Sequence, residues 1–172
     1  MEQLSNPKIE VIQNADTAIN ILRNVAQWMQ DTGLSHDEAW NPDNMNLEYL
    51  GQYAKPDEFF VATVEGKPAA AAIIQSEQIA QDWASVDGET FPPAIYVHWL
   101  AVEREFAGQR LPKVLLDYAY GVAKEKQLPV IRLDTDASKS KLREIYESQG
   151  YEIVKIIQED NRQTVLFEKK VI

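Results

Sequence analysis

The chain has 172 residues but no cysteine, and it has only two histidines, His36 and His98. The absence of thiols excludes disulfide frameworks, cysteine nucleophiles and zinc sites built on thiolates. Two histidines are too few for a histidine-rich metal centre. We therefore expect a protein that binds no metal ion.

Long hydrophobic runs are also missing. No stretch approaches the roughly 18 apolar residues that a membrane helix needs, and the polar residues 1–8 contain no apolar signal segment. These absences predict a cytoplasmic protein with no membrane partner. No repeat, low-complexity tract or linker interrupts the sequence, so we expect a single domain over residues 1–172.

Basic residues are scarce: 17 Lys and Arg stand against 27 Asp and Glu, and the net charge is −10. Nucleic-acid recognition needs clustered cations on one surface, so this balance argues against a nucleic-acid partner. A cationic partner is easier to accommodate. Hydrophobic residues make up 45% of the chain, as expected for a globular protein with a packed core.

The periodicity of the apolar residues predicts alternating strands and helices in the order βααβββαβαββ. Glu65-Gly66 is a two-residue turn signal between two strands, and Gly33 and Gly150 end two of the helices. One helix is predicted to pack through Leu111, Leu115, Tyr118 and Val122. The strands are predicted at about 9–11, 58–64, 67–75, 95–102, 130–133, 151–158 and 164–169, and the helices at 14–33, 44–53, 111–126 and 139–149.

This order indicates an α/β fold with a mixed central sheet, in which antiparallel strands lead into one parallel β-α-β crossover. The crossover begins at the strand end Leu100-Ala101-Val102, continues through a loop containing Gly108, and enters a helix at Leu111 or Pro112. Backbone N–H groups at such a helix start bind anions, phosphates above all. A single glycine in a strand-to-helix turn is common, so the loop alone favours an ordinary structural turn.

The spacing of further motifs strengthens the case for an anion-binding loop. Leu115-Leu116 follow the loop, and Ile145-Tyr146-Glu147-Ser148-Gln149-Gly150-Tyr151 follows a buried strand. With these motifs the sequence resembles the GNAT superfamily of acyl-CoA-dependent N-acyltransferases, in particular its small bacterial members. The resemblance implies a GNAT-type mixed sheet, acetyl-CoA as cofactor, and acetyl transfer to the primary amine of a small-molecule acceptor. A monomer and a homodimer both remain open.

The resemblance also implies which residues contact the cofactor. Arg110 and Pro112 replace the two signature glycines of the family's phosphate loop, and Lys139 replaces a frequent asparagine. Arg110 adds a cation, whereas Pro112 removes an N–H donor. A GNAT-like module that has lost catalysis and serves as a CoA-binding or regulatory domain is therefore the alternative. The implied cofactor residues are Leu100, Ala101, Val102, Ala107, Gly108, Gln109, Arg110, Leu111, Pro112, Lys113, Asp134, Lys139, Leu142 and Tyr146.

Two residues are candidates for proton transfer. Tyr146 lies where the family places its general acid, and a phenol is a suitable donor to a departing thiolate; its alternative role is packing. His98 lies two residues before Leu100 on a strand, so alternation puts both on one face, and an imidazole pKa near ~6.5 suits a base acting on the amine. The alternative is a core histidine whose hydrogen bonds are satisfied. The family's oxyanion contact would come from an N–H of residues 100–102.

The acceptor site is the least specific part of the prediction. The connection 77–93 between two strands is long, and it carries Trp83 together with several acidic residues. With Trp28 and Trp40 it would form an aromatic, negatively charged pocket for a cationic amine. The alternative is a solvated loop anchored by Trp83. His36, in a polar loop, is expected to be solvated.

Overall fold

The computed structural model describes residues 5–34, 39–77, 83–90, 92–159 and 162–172. Seven strands form one mixed sheet in the order β1-β2-β3-β4-β5-β7-β6. The predicted α/β class and element order are confirmed, and a one-turn helix, α3, is added within the long connection. The strands are β1 (Ile9–Gln13), β2 (Phe59–Val64), β3 (Lys67–Gln75), β4 (Ile95–Val102), β5 (Val130–Asp136), β6 (Glu152–Gln158) and β7 (Gln163–Lys170), and the helices are α1 (Ala15–Asp31), α2 (Leu47–Leu50), α3 (Ala84–Asp87), α4 (Leu111–Glu125) and α5 (Ser140–Ser148).

The chain divides into two compact units. The first comprises Met1–Ala72 and Leu100–Leu111, and the second comprises Ile73–Trp99 and Pro112–Ile172. Each is described by itself below, and the single domain over residues 1–172 stays a prediction. Among the described residues, no helix combines the length and the apolar composition that crossing a membrane requires.

In the first unit, β1 pairs antiparallel with β2, and α1 follows β1 directly. The Asn14 side chain accepts a hydrogen bond of 3.0 Å from the backbone N–H of Thr17, which is the N-cap contact that starts α1. Glu65 and Gly66 both have positive φ, 49° and 78°, so the predicted two-residue hairpin turn is confirmed. The buried face of α1 comprises Ala18, Ile19, Ile21, Leu22, Val25, Ala26 and Met29.

In the second unit, β4 and β5 are parallel, as the crossover predicted, but their pairing is short. It runs from Ile95 opposite Ile131 to Val97 opposite Leu133. Strand β5 also pairs antiparallel with β7 as far as Asp136 opposite Thr164. This second partner explains why β5 is longer than the predicted 130–133, since Asp134 and Asp136 are polar and did not indicate a strand.

Two helices differ from their predictions. Helix α2 spans only Leu47–Leu50, because the side chain of Asn46 caps its start by accepting from the N–H of Tyr49 at 2.8 Å. On α4, Tyr118 is exposed and Val122 is only partly buried, so the predicted packing face is wrong in part. The apolar side chains next to them along the helix take their place, and the fully buried positions are Leu111, Leu115, Leu116, Ala119 and Ala123.

A buried charge cluster joins α3 to the sheet in the second unit. The Arg132 guanidinium on β5 contacts both carboxylate oxygens of Asp87, at 2.5 and 2.9 Å, and the carboxylate of Glu168 on β7 at 3.0 Å. It also donates to the Tyr96 hydroxyl at 3.3 Å and lies 4.2 Å from the centre of the Trp83 ring. The side chains of Arg132 and Asp87 are each only 6% exposed. We call these five residues the Arg132 cluster.

The charged groups of the cluster depend on one another. Burial lowers the pKa of Arg132, but the hydrogen bonds to Asp87, Tyr96 and Glu168 outweigh burial and hold that pKa above its ordinary value. Arg132 therefore stays charged, and it is the partner that makes the burial of the Asp87 carboxylate tolerable. This links residues 83–87 to β4, β5 and β7.

We predict that Arg132→Met lowers the free energy of unfolding by about 3–5 kcal/mol, because it leaves the buried Asp87 carboxylate without its cation. Lys113→Met is the control in the same unit. The ion pair of Lys113 with Asp117 is about half exposed, so the loss should stay below about 1 kcal/mol. Urea denaturation of both variants measures the difference. Equal losses would show that the Arg132 cluster does not stabilise the second unit.

Candidate active site

The strands β4 and β5 part directly after Val97 and Leu133, and side chains span the gap at the next position. There the Nδ1 atom of His98 lies 2.9 Å from Oδ1 of Asp134. The two side chains are 15% and 25% exposed, so the pair is shielded but accessible to solvent. The sequence analysis considered His98 as a base or as a satisfied core residue, and the structure gives it a charged partner.

Asp134 is ionised at neutral pH in this environment. Burial raises its pKa, but the hydrogen bond and charge of His98, together with the charge of Arg162, outweigh burial and hold it below the usual range of a carboxyl. The sequence analysis assigned Asp134 to cofactor binding; the structure places it against His98. Their contact depends on the register between β4 and β5, which a single sequence does not show.

Trp99, which was not among the predicted site residues, lies within β4 directly after His98. Its φ is 53°, in the left-handed region that bulky side chains rarely adopt. A residue in this conformation breaks the alternation of side chains along a strand. The assignment of His98 and Leu100 to one face rested on that alternation, so it does not hold beyond Trp99. A positive φ at a tryptophan leaves no signal in the sequence.

Tyr146 is the buried residue of α5. Its ring centre lies 5.5 Å from that of Phe167 in an edge-to-face contact and 6.2 Å from that of Tyr151. Burial, followed by the negative charge of Asp134, raises the pKa of the Tyr146 phenol well above its ordinary value. The hydroxyl therefore keeps its proton across the physiological range. The same residue packs in an aromatic cluster and is suited to donate a hydrogen bond, so the two roles considered for it are compatible.

The loop before α4 retains the backbone shape of a glycine turn although one glycine position holds arginine. Gly108 has φ 84°, with open space around the position of a side chain, and Arg110 has φ 59°. Both residues are exposed, as are Ala107 and Gln109. A non-glycine residue in this conformation costs about 1–2 kcal/mol. The arginine thus takes up the turn instead of abolishing it.

The loop and the first turn of α4 carry groups of the kind that bind anions. Pro112 is the second residue of the helix, where N–H groups have no partner within the helix, so its missing N–H costs no helical hydrogen bond. The N–H groups around Gly108 and the exposed Arg110 guanidinium supply donors and positive charge. Lys113 adds less, because its ammonium group pairs with Asp117 at 2.5 Å.

The candidate acceptor residues have different surroundings. The Trp83 ring belongs to the Arg132 cluster and is 1% exposed, which supports its alternative role as an anchor of the long connection. The Trp28 ring is partly buried, and the guanidinium of Arg104 lies 4.0 Å from its centre, so one ring face already holds a cation. Trp40 is partly buried just before a short 3-10 helix, Pro42–Asn44.

Two further predicted cofactor residues lie at α5. Lys139 immediately precedes α5 and its side chain does not cap the helix, while Leu142 is partly buried on it. His36 and residues 78–82 and 91 of the long connection lie outside the described residues. Within the described part of the chain, no group of three or more histidine and acidic side chains is arranged to hold a metal ion.

An acidic groove of about 500 Å³ lies within the first unit. Asp16, Glu103 and Glu105 line it, and Asn24 donates a hydrogen bond of 2.8 Å to Glu103 at its wall. Much of the acidic surplus of the chain belongs to this unit. None of the predicted site residues lines the groove.

Comparison with known proteins places most of the chain in one family. The model of the Acetyltransferase (GNAT) family matches residues 22–151, which include β4, the turn at Gly108, α4, β5 and α5. The chain belongs to the GNAT acetyltransferase family. It is therefore an acyltransferase of the N-acetyltransferase type, as the motifs from Leu100 to Tyr151 implied.

Individual relatives agree with this assignment. The chain is 26% identical over 144 residues to YesJ of Bacillus subtilis (strain 168), an uncharacterized N-acetyltransferase, and the match covers 84% of this chain and 79% of that one. A GNAT acetyltransferase structure from Listeria monocytogenes has a TM-score of 0.69 at 23% identity, covering 94% of each chain. The ribosomal-protein-S18-alanine N-acetyltransferase of Escherichia coli has a TM-score of 0.65 at 17% identity, covering 96% of this chain and 94% of that one. Both structures share the GNAT fold.

We predict that Arg110→Gly raises the free energy of unfolding by about 1 kcal/mol, because glycine adopts the positive φ without strain. Gln109→Gly is the control at the neighbouring position, where φ is not positive; it should lower stability by about 0.4–1 kcal/mol through the added freedom of the unfolded chain. Thermal and urea denaturation measure both. A loss of stability in Arg110→Gly would mean that the arginine is not strained there.

Proposed function

We propose that this GNAT acetyltransferase transfers acetyl from acetyl-CoA directly to the primary amine of a small cationic acceptor. His98 accepts the proton that the amine loses, and Tyr146 donates a proton to the departing sulfur. The observation that carries the proposal is the His98–Asp134 contact in the second unit, together with Tyr146, whose phenol is buried and lies within the influence of the Asp134 charge.

A base is needed because an alkylammonium titrates near pH ~10 and is not nucleophilic while protonated. The imidazole of His98 is the group that we propose for this role. Its Nδ1 is engaged by Asp134, so Nε2 is the nitrogen available to the amine or to an intervening water. Tyr146, kept protonated by burial, is the matching donor.

When bound, acetyl-CoA supplies an acetyl group activated as a thioester. The residues around Gly108 hold its phosphates in this proposal, through backbone N–H groups and the guanidinium of Arg110. These groups would supply local positive charge in a chain whose net charge is −10. The same surplus of negative charge supports a cationic acceptor, since it favours the approach of cations in general.

One observation favours the alternative of a module without catalysis. Pro112 removes an N–H donor from the helix start that binds phosphate. The exposed Arg110 and the retained turn at Gly108 argue that binding persists in adapted form. Binding of acetyl-CoA is therefore the first property to measure.

Isothermal titration with acetyl-CoA should give saturable binding to the wild-type chain. Gly108→Val should weaken binding at least tenfold, since valine is strained at φ 84° and crowds the exposed N–H groups. Gly121→Ala, in the exposed middle of α4 with open space around it, is the matched control and should bind like the wild type. No detectable binding at millimolar acetyl-CoA would contradict the enzyme and the CoA-binding module alike.

A further inference from the structure

The His98–Asp134 contact joins two neighbouring parallel strands at the point where they part. The 2.9 Å distance between Nδ1 and Oδ1 is that of a charge-assisted hydrogen bond. Both side chains are mostly shielded, so water competes little for the contact. The geometry therefore constrains the imidazole more than an exposed ion pair would.

The hydrogen-bond partner of His98 determines which tautomer the imidazole adopts. An ionised carboxylate has no proton to donate, so the hydrogen between Asp134 and His98 must sit on Nδ1 of the imidazole. In the neutral ring this leaves Nε2 with its lone pair. A free histidine exchanges between the two tautomers, whereas the carboxylate selects one.

A second aromatic ring lies alongside the imidazole. The imidazole is nearly parallel to the ring of Tyr96, at an interplanar angle of 5° and with ring centres 6.3 Å apart. Tyr96 is itself held by the hydrogen bond from Arg132 at 3.3 Å, within the Arg132 cluster. The cluster thus supports the ring beside His98.

We propose that Asp134 is a positioning residue that holds His98 as the Nδ1-protonated tautomer, with Nε2 free to accept the proton of the acceptor amine. The role of Nε2 rests on the proposed function, but the selection of the tautomer does not. Asp134 acts through His98 and makes no contact with the reacting atoms. This assigns a role to a residue that the motif resemblance placed with the cofactor.

Nitrogen NMR of the imidazoles tests the tautomer without any substrate. The chain has only two histidines, so a ¹⁵N-labelled His36→Gln protein gives the signals of His98 alone. At pH 8 we expect a protonated, pyrrole-type Nδ1 and an unprotonated, pyridine-type Nε2. In Asp134→Asn the Nε2-protonated form should become the major one. A wild-type spectrum of a neutral ring with its proton on Nε2 and a pyridine-type Nδ1 would overturn the proposal.

Kinetics test the consequence for catalysis. With spermidine as the probe for a small cationic amine, Asp134→Asn should lower kcat by 10- to 1000-fold, with the KM for acetyl-CoA changed less than threefold. Asp136→Asn is the matched control: this carboxylate lies two residues further along β5 and hydrogen-bonds Ser138, not His98, so kcat should be unchanged. A rise in KM for acetyl-CoA at constant kcat would instead assign Asp134 to cofactor binding.

The two measurements separate the proposals. An Nδ1-protonated His98 in a chain that acetylates no amine would support the selection of the tautomer and contradict the proposed function. An active enzyme whose His98 carries its proton on Nε2 would support amine acetylation and contradict the selection of the tautomer by Asp134. If Asp134→Asn does not fold, the wild-type spectrum alone decides whether the carboxylate selects the tautomer.

Discussion

The short parallel pairing between β4 and β5 is the constraint on which the candidate site depends. Backbone hydrogen bonding holds the two strands together through Val97 and Leu133 and then stops. At the next position the side chains of His98 and Asp134 contact each other, so a carboxylate and an imidazole occupy the end of the paired region.

The Arg132 cluster supports this region from two positions earlier on each strand. Tyr96 and Arg132 are register partners, and each lies two residues before His98 or Asp134 on the same face of its strand. Burying three charged groups is costly, and a hydrophobic cluster of the same volume would cost less. The charged version ties α3 and β7 to the strands that carry the candidate base.

The sequence predicted the fold class and element order because apolar periodicity and turn residues act locally. A helix starts after Asn14, a turn forms at Glu65-Gly66, and a helix ends just before Gly150. None of the three needs a contact with distant residues. The motifs from Leu100 to Tyr151 added the family. The site could be predicted only as a set of candidates.

What the sequence could not show were contacts set by register and by backbone conformation. The His98–Asp134 pair depends on which residues of β4 and β5 are neighbours, and the cluster around Arg132 joins residues up to 81 positions apart, from Asp87 to Glu168. Positive φ at Trp99 and Arg110 contradicts the preference of those residue types. Tertiary structure imposes these features, so no local pattern reports them.

The central claim, direct acetyl transfer by His98 and Tyr146, is tested most directly by amine-dependent release of the CoA thiol. A thiol-reactive dye suits the assay, because the chain has no cysteine and gives no background. With spermidine and acetyl-CoA we expect steady release matched by N-acetylated product, lowered at least 100-fold in His98→Ala and in Tyr146→Phe. Tyr151→Phe, which removes a hydroxyl from the same aromatic cluster, should retain the wild-type rate. Wild-type rates in both His98→Ala and Tyr146→Phe would contradict the account.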